Sequence, residues 1–288
     1  MTKSRVGIIG GSGLYAMEKI TNPRRVNVTT PFGAPSDDYV IGSMCGTEVV
    51  FLTRHGKGHK ISPTEINCRA NIYGMKKLGV DRIISVSACG SLKEELKPLD
   101  IVIPDQFVDR TNQARPMTFF RDGIVAHIQF SDPICPDLAK ALYTAGKSVG
   151  ATVRMGGTYL NMEGPQFSTR AESNLYRSWG MDVIGMTNIA EARLAREAEI
   201  CYATLACITD YDCWHQSEEA VSVEMIVQNL LKNIETAKNI IVAALPKLSG
   251  QRDCVCASAL KDAIITDPKA ISPKIKKTLK PMIGKYVK

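Results

Sequence analysis

The segment CITDYDCW, residues 207–214, combines the end of an apolar run with a pair of acids. Apolar residues lead into it from Tyr202 to Ile208, and Asp210 and Asp212 follow two positions apart. Burying carboxylates costs free energy unless they are paired or hydrogen-bonded. Their position at the end of a hydrophobic strand therefore indicates that the two acids bind something.

Other apolar strand patterns alternate with helical patterns on both sides of this segment. The strand patterns cover residues 5–11, 48–59, 81–91, 100–109 and 181–188, and the helical patterns cover 70–79, 137–150, 170–180 and 223–245. Two N-terminal capping pairs are predicted, Thr169 with Glu172 and Asn188 with Glu191. This alternation predicts an α/β fold, a single domain with a mostly parallel central sheet flanked by helices.

The charge is concentrated at the carboxyl end of the chain. The 288 residues carry a formal net charge of +7, and residues 268–288 contain seven lysines and no acid. We therefore predict a folded domain over residues 1–267 and a solvated lysine-rich C-terminal tail over 268–288, with RNA or anionic-surface binding as the alternative for the tail. No apolar run is long enough for a membrane span, and no signal peptide is indicated.

The nine cysteines are scattered and form no C-x-x-C pair, so neither a zinc ribbon nor any other metal site is predicted. A reducing, cytoplasmic location is the expectation. Cys254 and Cys256 are separated by one residue, which favours two free thiols and leaves a redox pair as the alternative.

Polar or small residues follow five of the strand patterns, in GGSG, TRHG, SACGS, GMTN and TDYD. Ligands of open α/β sheets bind at the carboxyl ends of strands, so we expect the five endings to share one cavity. Hydroxyl groups, an arginine fork and exposed backbone N–H groups suit phosphate. The candidate phosphate-binding residues are Ser12, Arg54, His55, Ser87, Ala88 and Thr187. For TRHGKGHK, the alternative is a solvated basic turn. A nicotinamide-binding fingerprint at the GGSG segment is disfavoured, because Asn22-Pro23 interrupts the helix that such a fingerprint requires.

The two acids fit one edge of adenine, which presents an acceptor at N7 beside a donor at N6. One carboxyl group can accept from N6 while the other, protonated, donates to N7. Burial and a neighbouring like charge both raise a carboxyl pKa toward that state. A structural turn with solvated acids is the alternative.

Several long motifs of this sequence resemble those of a known family. The motifs GIIGGSGL, TPFGAPSD, TRHG.GH, SACGSL.EE..P.DIV..DQF.DRT, EGPQFSTRAES, DVIGMT..AEA.LAREA...YA and TDYDCW resemble the 5′-methylthioadenosine phosphorylases, in the trimeric branch of the purine nucleoside phosphorylases. The resemblance implies that family's mixed-sheet fold, a homotrimer, and a pentosyltransferase of purine and methionine salvage. The enzyme would use inorganic phosphate as co-substrate, with no cofactor and no nucleic-acid or membrane partner.

The resemblance also implies roles for individual residues. Asp210 would be the catalytic proton donor to N7, and substrate contacts would come from Phe167, Met186, Asp210, Tyr211 and Asp212. Specificity would depend on His127, Ser168, Val223, Ile226 and Val227, with His127 reaching a neighbouring subunit's site. An acid at position 210 favours 6-aminopurines, and an apolar wall at 223–227 favours a methylthio group. The alternative is a purine nucleoside phosphorylase of broader or 6-oxopurine specificity.

Overall fold

The protein has the predicted α/β fold with a mixed central sheet, to which the described residues contribute eleven strands. The structure, a computed structural model, describes residues 4–11, 20–112, 115–215, 223–248 and 250–287, without the side chains of residues 223, 225 and 226. The strands are β1 (Arg5–Gly10), β2 (Thr21–Val26), β3 (Tyr39–Met44), β4 (Thr47–Thr53), β5 (Val80–Ser91), β6 (Ile101–Ile103), β7 (Gln106–Arg110), β8 (Val153–Met155), β9 (Thr158–Met162), β10 (Val183–Gly185) and β11 (Cys201–Asp210). The helices are α1 (Cys68–Lys77), α2 (Pro136–Ser148), α3 (Arg170–Ser178), α4 (Asn188–Glu197), α5 (Val223–Ala244) and α6 (Pro273–Ile283), with 3₁₀ turns at Leu245–Leu248 and Val255–Ser258.

Strand β5 is the centre of the sheet. Its first half pairs in parallel with β1, most of its length pairs in parallel with β11, and its last residues pair antiparallel with β10. On the far side of β1 the order continues through β4, β3 and β2. Because β4, β1, β5 and β11 are parallel, their carboxyl ends meet at one edge of the sheet. The predicted site requires that arrangement.

Strand β11 is the longest described strand that is buried throughout. All ten of its residues are buried, which explains its nearly continuous apolar sequence, because a parallel strand covered on both faces has no solvent side. Helix α5 packs against it. The side-chain amides of Asn229 and Asn233 donate to the backbone carbonyls of Thr209 and Ile208, at 2.7 and 2.8 Å. The helix therefore holds the end of the strand that carries the acids.

One of the two predicted caps is confirmed and the other is wrong. Thr169 and Glu172 form a reciprocal capping box at the start of α3. Helix α4 instead begins with Thr187 at its N-cap position, whose side chain makes no capping hydrogen bond, and the first-turn N–H of Ile189 donates to the distant Asn161 Oδ1. The amide of Asn188 donates to Thr204 on β11, and Glu191 binds a buried arginine. Tertiary partners thus replace the local pairing that the sequence suggested.

The C-terminal segment is not a solvated tail, and that expectation is corrected. Ile271, Leu279, Met282, Ile283 and Val287 are buried members of the main hydrophobic core. Most lysines of the segment lie on the opposite, exposed side, so its charge is solvated while its apolar face is packed. Helix α6 is therefore part of the folded domain. Among the described residues, no helix combines the length and apolarity needed to cross a membrane.

Candidate active site

The five predicted strand ends border one cavity of about 550 Å³ at the edge of the sheet. Its described lining comprises Gly11, Arg54, His55, His59, Pro63, Val86, Ser87, Ala88, Cys89, Gly90, Met162, Pro165, Phe167, Ile184, Gly185, Met186, Thr187, Thr209, Asp210, Asp212, Val227, Leu230 and Ile234. The expectation that separate strand ends share one cavity is therefore confirmed. Basic and hydroxyl side chains lie at the ends of β4 and β5, and acids lie at the end of β11.

Arg54 is fixed by a buried network directly after β4. Its Nε lies 2.6 Å from Glu191 Oε1, in an ion pair whose side chains are only 1% and 2% exposed. Nη1 donates to the carbonyl of Val86 at 3.0 Å, and Nη2 donates to Ser85 Oγ at 2.6 Å. Burial lowers the pKa of Arg54, but the charge and hydrogen bonds of Glu191 outweigh that effect and raise it above its ordinary value. The guanidinium stays charged, yet most of its N–H groups are used inside the protein, so little of the predicted bidentate fork is left for a ligand.

Two hydroxyl groups lie on the same part of the cavity wall. Ser87 is 8% exposed, and its buried Oγ makes no hydrogen bond of normal geometry with any described residue. A buried polar atom without a partner costs free energy unless a water or a ligand satisfies it. Thr187 stands at the N-terminus of α4, where the positive end of the helix dipole favours an anion, although the N–H of Ile189 in the first turn already donates to Asn161 Oδ1 at 3.0 Å. These features suit an oxyanion next to the charged Arg54.

His55 is neutral in this environment. Burial and then the charge of Arg54 lower its pKa from 6.5 to about 4. Its Nδ1 lies 2.9 Å from the carbonyl oxygen of Ile61, so Nδ1 carries the proton and donates it. Nε2 is then an acceptor that can take a hydrogen bond from a protonated phosphate oxygen. The ring stacks on His59 at a centroid distance of 4.3 Å.

A register shift at the end of β11 determines how the two acids are oriented. The pairing with β5 shifts register between Ile208 and Asp210, which places Asp210 opposite Gly90. Such bulges re-aim side chains beside active sites. Asp210 Oδ1 would lie 3.0 Å from a Cβ at position 90, so glycine there leaves room for the carboxyl group.

The two carboxyl groups have different environments. Asp210 accepts from the hydroxyl of Thr209 at 2.6 Å and from the backbone N–H of Asp212 at 2.8 Å. Burial raises the pKa of Asp212, against the lowering effect of the hydroxyls of Ser173 and Ser168. Asp212 Oδ2 is buried and forms no hydrogen bond of normal geometry with the described residues. This oxygen is available to a ligand.

Apolar side chains line the space between the acids and the phosphate end. Met186 follows β10, and Phe167 is 56% exposed at the mouth of the cavity. Helix α5 contributes Val227, Leu230 and Ile234, which share one helical face at spacings of three and four. Of the wall predicted on this helix, Val227 lines the cavity, and Leu230 and Ile234 extend the apolar lining along the helix.

Three expected site residues do not line the cavity, and three lie outside the described part. Tyr211 is corrected: it follows the last residue of β11, and its ring packs against Trp214 and His215 at 5.7 and 4.6 Å. Ser168 contacts Met162 Sδ at 3.7 Å, and its hydroxyl acts on the cavity through Asp212, whose pKa it lowers. His127 is exposed on the surface, and its role at a neighbouring subunit stays a prediction. The predictions for Ser12 and for the side chains of Val223 and Ile226 fall outside the described residues.

Several residues that shape the site were missed. Glu191 was predicted as a capping residue and Ser85 was assigned no role, yet both hold Arg54. Arg115 binds Glu163 Oε1 at 2.9 Å and also donates to the backbone carbonyls of Glu163 and Met186. It thus braces the segment beside Met186. No local pattern marks these residues, because their partners are distant in the sequence.

Comparison with known proteins gives concordant matches. The sequence profile described as the phosphorylase superfamily matches residues 5–246. The chain is 61% identical to the S-methyl-5′-thioadenosine phosphorylase of Geobacter sulfurreducens over 98% of this chain and 99% of that one. The structure is similar to a methylthioadenosine phosphorylase from an Antarctic soil metagenomic library, with a TM-score of 0.92, 50% identity, and coverage of 98% of this chain and 99% of that one. It is also similar to a methylthioadenosine phosphorylase from Schistosoma mansoni in complex with adenine, with a TM-score of 0.84, 35% identity, and coverage of 90% and 96%.

Proposed function

The chain belongs to the phosphorylase superfamily, and from that premise we propose that it cleaves 5′-methylthioadenosine with inorganic phosphate. The products are adenine and 5-methylthioribose 1-phosphate. The relative at 61% identity over nearly the whole of both chains carries the name of this activity. The observation that carries the proposal is one cavity with an unsatisfied hydroxyl at its basic end and an unsatisfied carboxyl oxygen at its acidic end.

Phosphate binds at the basic end in this proposal. Ser87 Oγ donates to a phosphate oxygen and so gains the partner that it lacks. Arg54 supplies positive charge and at most one free N–H group, while the N-terminus of α4 at Thr187 adds its dipole. Glu191 orients Arg54 and offsets part of its charge, so the site attracts phosphate without leaving an uncompensated buried cation.

The adenine base binds at the acidic end. One carboxyl group accepts from N6 and the other donates a proton to N7, and we propose Asp210 as the donor. Burial raises the pKa of Asp212, which favours a protonated carboxyl group in this pair, and two interacting carboxyl groups titrate as a unit. Protonation at N7 neutralises the negative charge that gathers on the departing purine, and a positioned acid is worth roughly 10²–10⁴ in rate.

The sugar lies between the two ends, against Met186. Breaking the glycosidic bond builds positive charge on the ribose ring. Phosphate on the far side of the ring stabilises that charge and then forms the new bond to the anomeric carbon. The chemistry requires no cofactor other than the co-substrate phosphate, which is part of the proposal.

The apolar face of α5 favours a methylthio group over a hydroxyl at the 5′ position. Val227, Leu230 and Ile234 offer no hydrogen-bond partner to a 5′-hydroxyl. Such a pocket discriminates against an added polar group by only about 10–200-fold. We therefore expect slow use of adenosine.

A phosphate-dependence assay with three nucleosides tests this function. Purified protein is given 5′-methylthioadenosine, adenosine or inosine, with and without phosphate, and release of the base is followed. The expected order of kcat/KM is 5′-methylthioadenosine, then adenosine, then inosine, with base release only when phosphate is present. A preference for inosine would identify a 6-oxopurine phosphorylase, and equal release without phosphate would identify a hydrolase.

We further propose a homotrimer that acts in the cytoplasm in purine and methionine salvage. The family resemblance supports the trimer, and the exposed position of His127 is compatible with a contact to a neighbouring subunit. Light scattering coupled to size-exclusion chromatography measures the assembly, and a monomer with full activity would contradict it.

A further inference from the structure

Four cysteines from three separate parts of the chain converge outside the active site. Cys135 precedes α2, Cys201 begins β11, and Cys254 and Cys256 flank the start of the last 3₁₀ turn. Their Sγ atoms all lie within 4.8 Å of one another. Three of the four residues are buried, and Cys254 is half-buried.

The arrangement matches a tetrahedral coordination shell. Zinc–thiolate bonds are about 2.3 Å long, which places sulfurs in a tetrahedral site about 3.8 Å apart. The Sγ atoms of Cys201 and Cys254 lie 3.3 Å apart, and all four thiols are free. Each sulfur is close to the three others rather than to a single partner, as a shared central ion requires.

The surroundings provide counter-charge. Four thiolates around a divalent cation leave a net negative charge, and Arg252 Nη1 lies 3.8 Å from Cys201 Sγ. The same guanidinium is anchored by the backbone carbonyls of Asp81 and Glu199, at 3.0 and 2.8 Å. A fixed cation therefore faces the cluster before any metal arrives.

We propose that Cys135, Cys201, Cys254 and Cys256 bind one Zn²⁺ ion in a closed structural site. Binding releases the thiol protons to solvent, because the thiolate is the ligand. Zinc with four protein ligands has no open position for a substrate, so the site is not catalytic. It extends beyond the proposed phosphorolysis and replaces the sequence-based expectation of no metal.

The position of the site in the fold indicates what the metal does. Cys201 and Asp210 lie at opposite ends of β11, about 30 Å apart for an extended strand. Zinc would join the start of this central strand to α2 and to the segment that leads into α6. It would therefore stabilise the docking of the C-terminal segment and leave the reacting groups untouched.

The test is metal analysis of the intact protein purified with a thiol reductant and without chelators. Inductively coupled plasma mass spectrometry is expected to find about one zinc per chain. Cys254→Ser and Cys201→Ser are expected to lose most of it, whereas Cys45→Ser, at an exposed cysteine outside the cluster, keeps it. Zinc below about a tenth of an equivalent in the wild-type protein, or two disulfides among the four residues, would overturn the proposal.

A second measurement, on the wild-type protein, tests the zinc site even if the cysteine variants do not fold. Zinc is removed from the wild-type protein with a mercurial reagent and a chelator, and Co²⁺ is added after the thiols are restored. Thiolate-to-cobalt charge-transfer bands that saturate at one equivalent, with recovery of the thermal midpoint, support the site, and their absence refutes it. Phosphorolysis at low temperature should survive zinc removal, so failure of this proposal and failure of the proposed function give different results.

Discussion

Replacing Glu191 by glutamine should both destabilise the protein and weaken phosphate binding. The Glu191 carboxylate accepts from Arg54 Nε and Nη2, from Ser85 Oγ at 3.0 Å, and from the hydroxyl of Tyr202 at 2.9 Å. Glutamine preserves the shape and one acceptor oxygen but removes the charge. It also turns an N–H₂ group toward Arg54, which is itself only a donor.

The magnitude follows from the burial of the pair, whose side chains are 1% and 2% exposed. Removing one partner of a buried ion pair costs about 3–5 kcal/mol. In chains of roughly this size that corresponds to a fall in Tm of about 6–20 °C. Added phosphate should recover part of the loss, because it becomes the counter-ion of the unpaired Arg54.

The assay combines thermal unfolding, with and without phosphate, and separate KM values for phosphate and nucleoside. Glu48→Gln is the matched control, because the Arg5–Glu48 pair is partly exposed at 3.4 Å and should contribute at most about 1 kcal/mol. A Glu191→Gln protein as stable as this control, with an unchanged KM for phosphate, would refute the view that Glu191 holds Arg54 in position.

Three further predictions concern the site. Ser87→Ala should raise the KM for phosphate roughly 10–100-fold, which is the value of a hydrogen bond to a charged group, and leave the KM for nucleoside nearly unchanged. Steady-state kinetics with each substrate varied in turn measures both constants. An equal rise in both would show that Ser87 does not bind phosphate. Asp210→Asn should lower kcat for 5′-methylthioadenosine by about 10²–10⁴ and improve use of inosine relative to adenosine; if Asp212→Asn alone has this effect, the proton donor is Asp212. For His55, whose folded pKa is lowered from 6.5 to about 4, the unfolded chain takes up a proton in that window and the folded chain does not. His55 thus contributes stability that is complete above pH 6.5 and is lost as the pH falls toward 4, at most about 3 kcal/mol. Urea unfolding of wild-type and His55→Gln proteins at pH 7 and pH 4.5 measures this, and an identical pH dependence in both would show that His55 is not held neutral.

The features that the sequence determined by itself depend on near neighbours along the chain. The apolar run before Asp210 predicts a strand covered on both faces, because every residue of such a strand meets the core. Thr169 and Glu172 predict their capping box since both partners lie within one turn. The shared cavity was also predictable, because parallel strands present their carboxyl ends at one edge.

The tertiary structure alone decided which distant groups meet. Glu191 binds Arg54 rather than capping α4, and the last lysine-rich segment packs its apolar face into the core. Cys135 and Cys201 join Cys254 and Cys256 although no spacing in the chain relates them. The physical reason is that burial makes unpaired charges and polar atoms costly, so their partners are chosen by which elements pack together. Packing is a property of the whole fold, and a short stretch of sequence does not contain it.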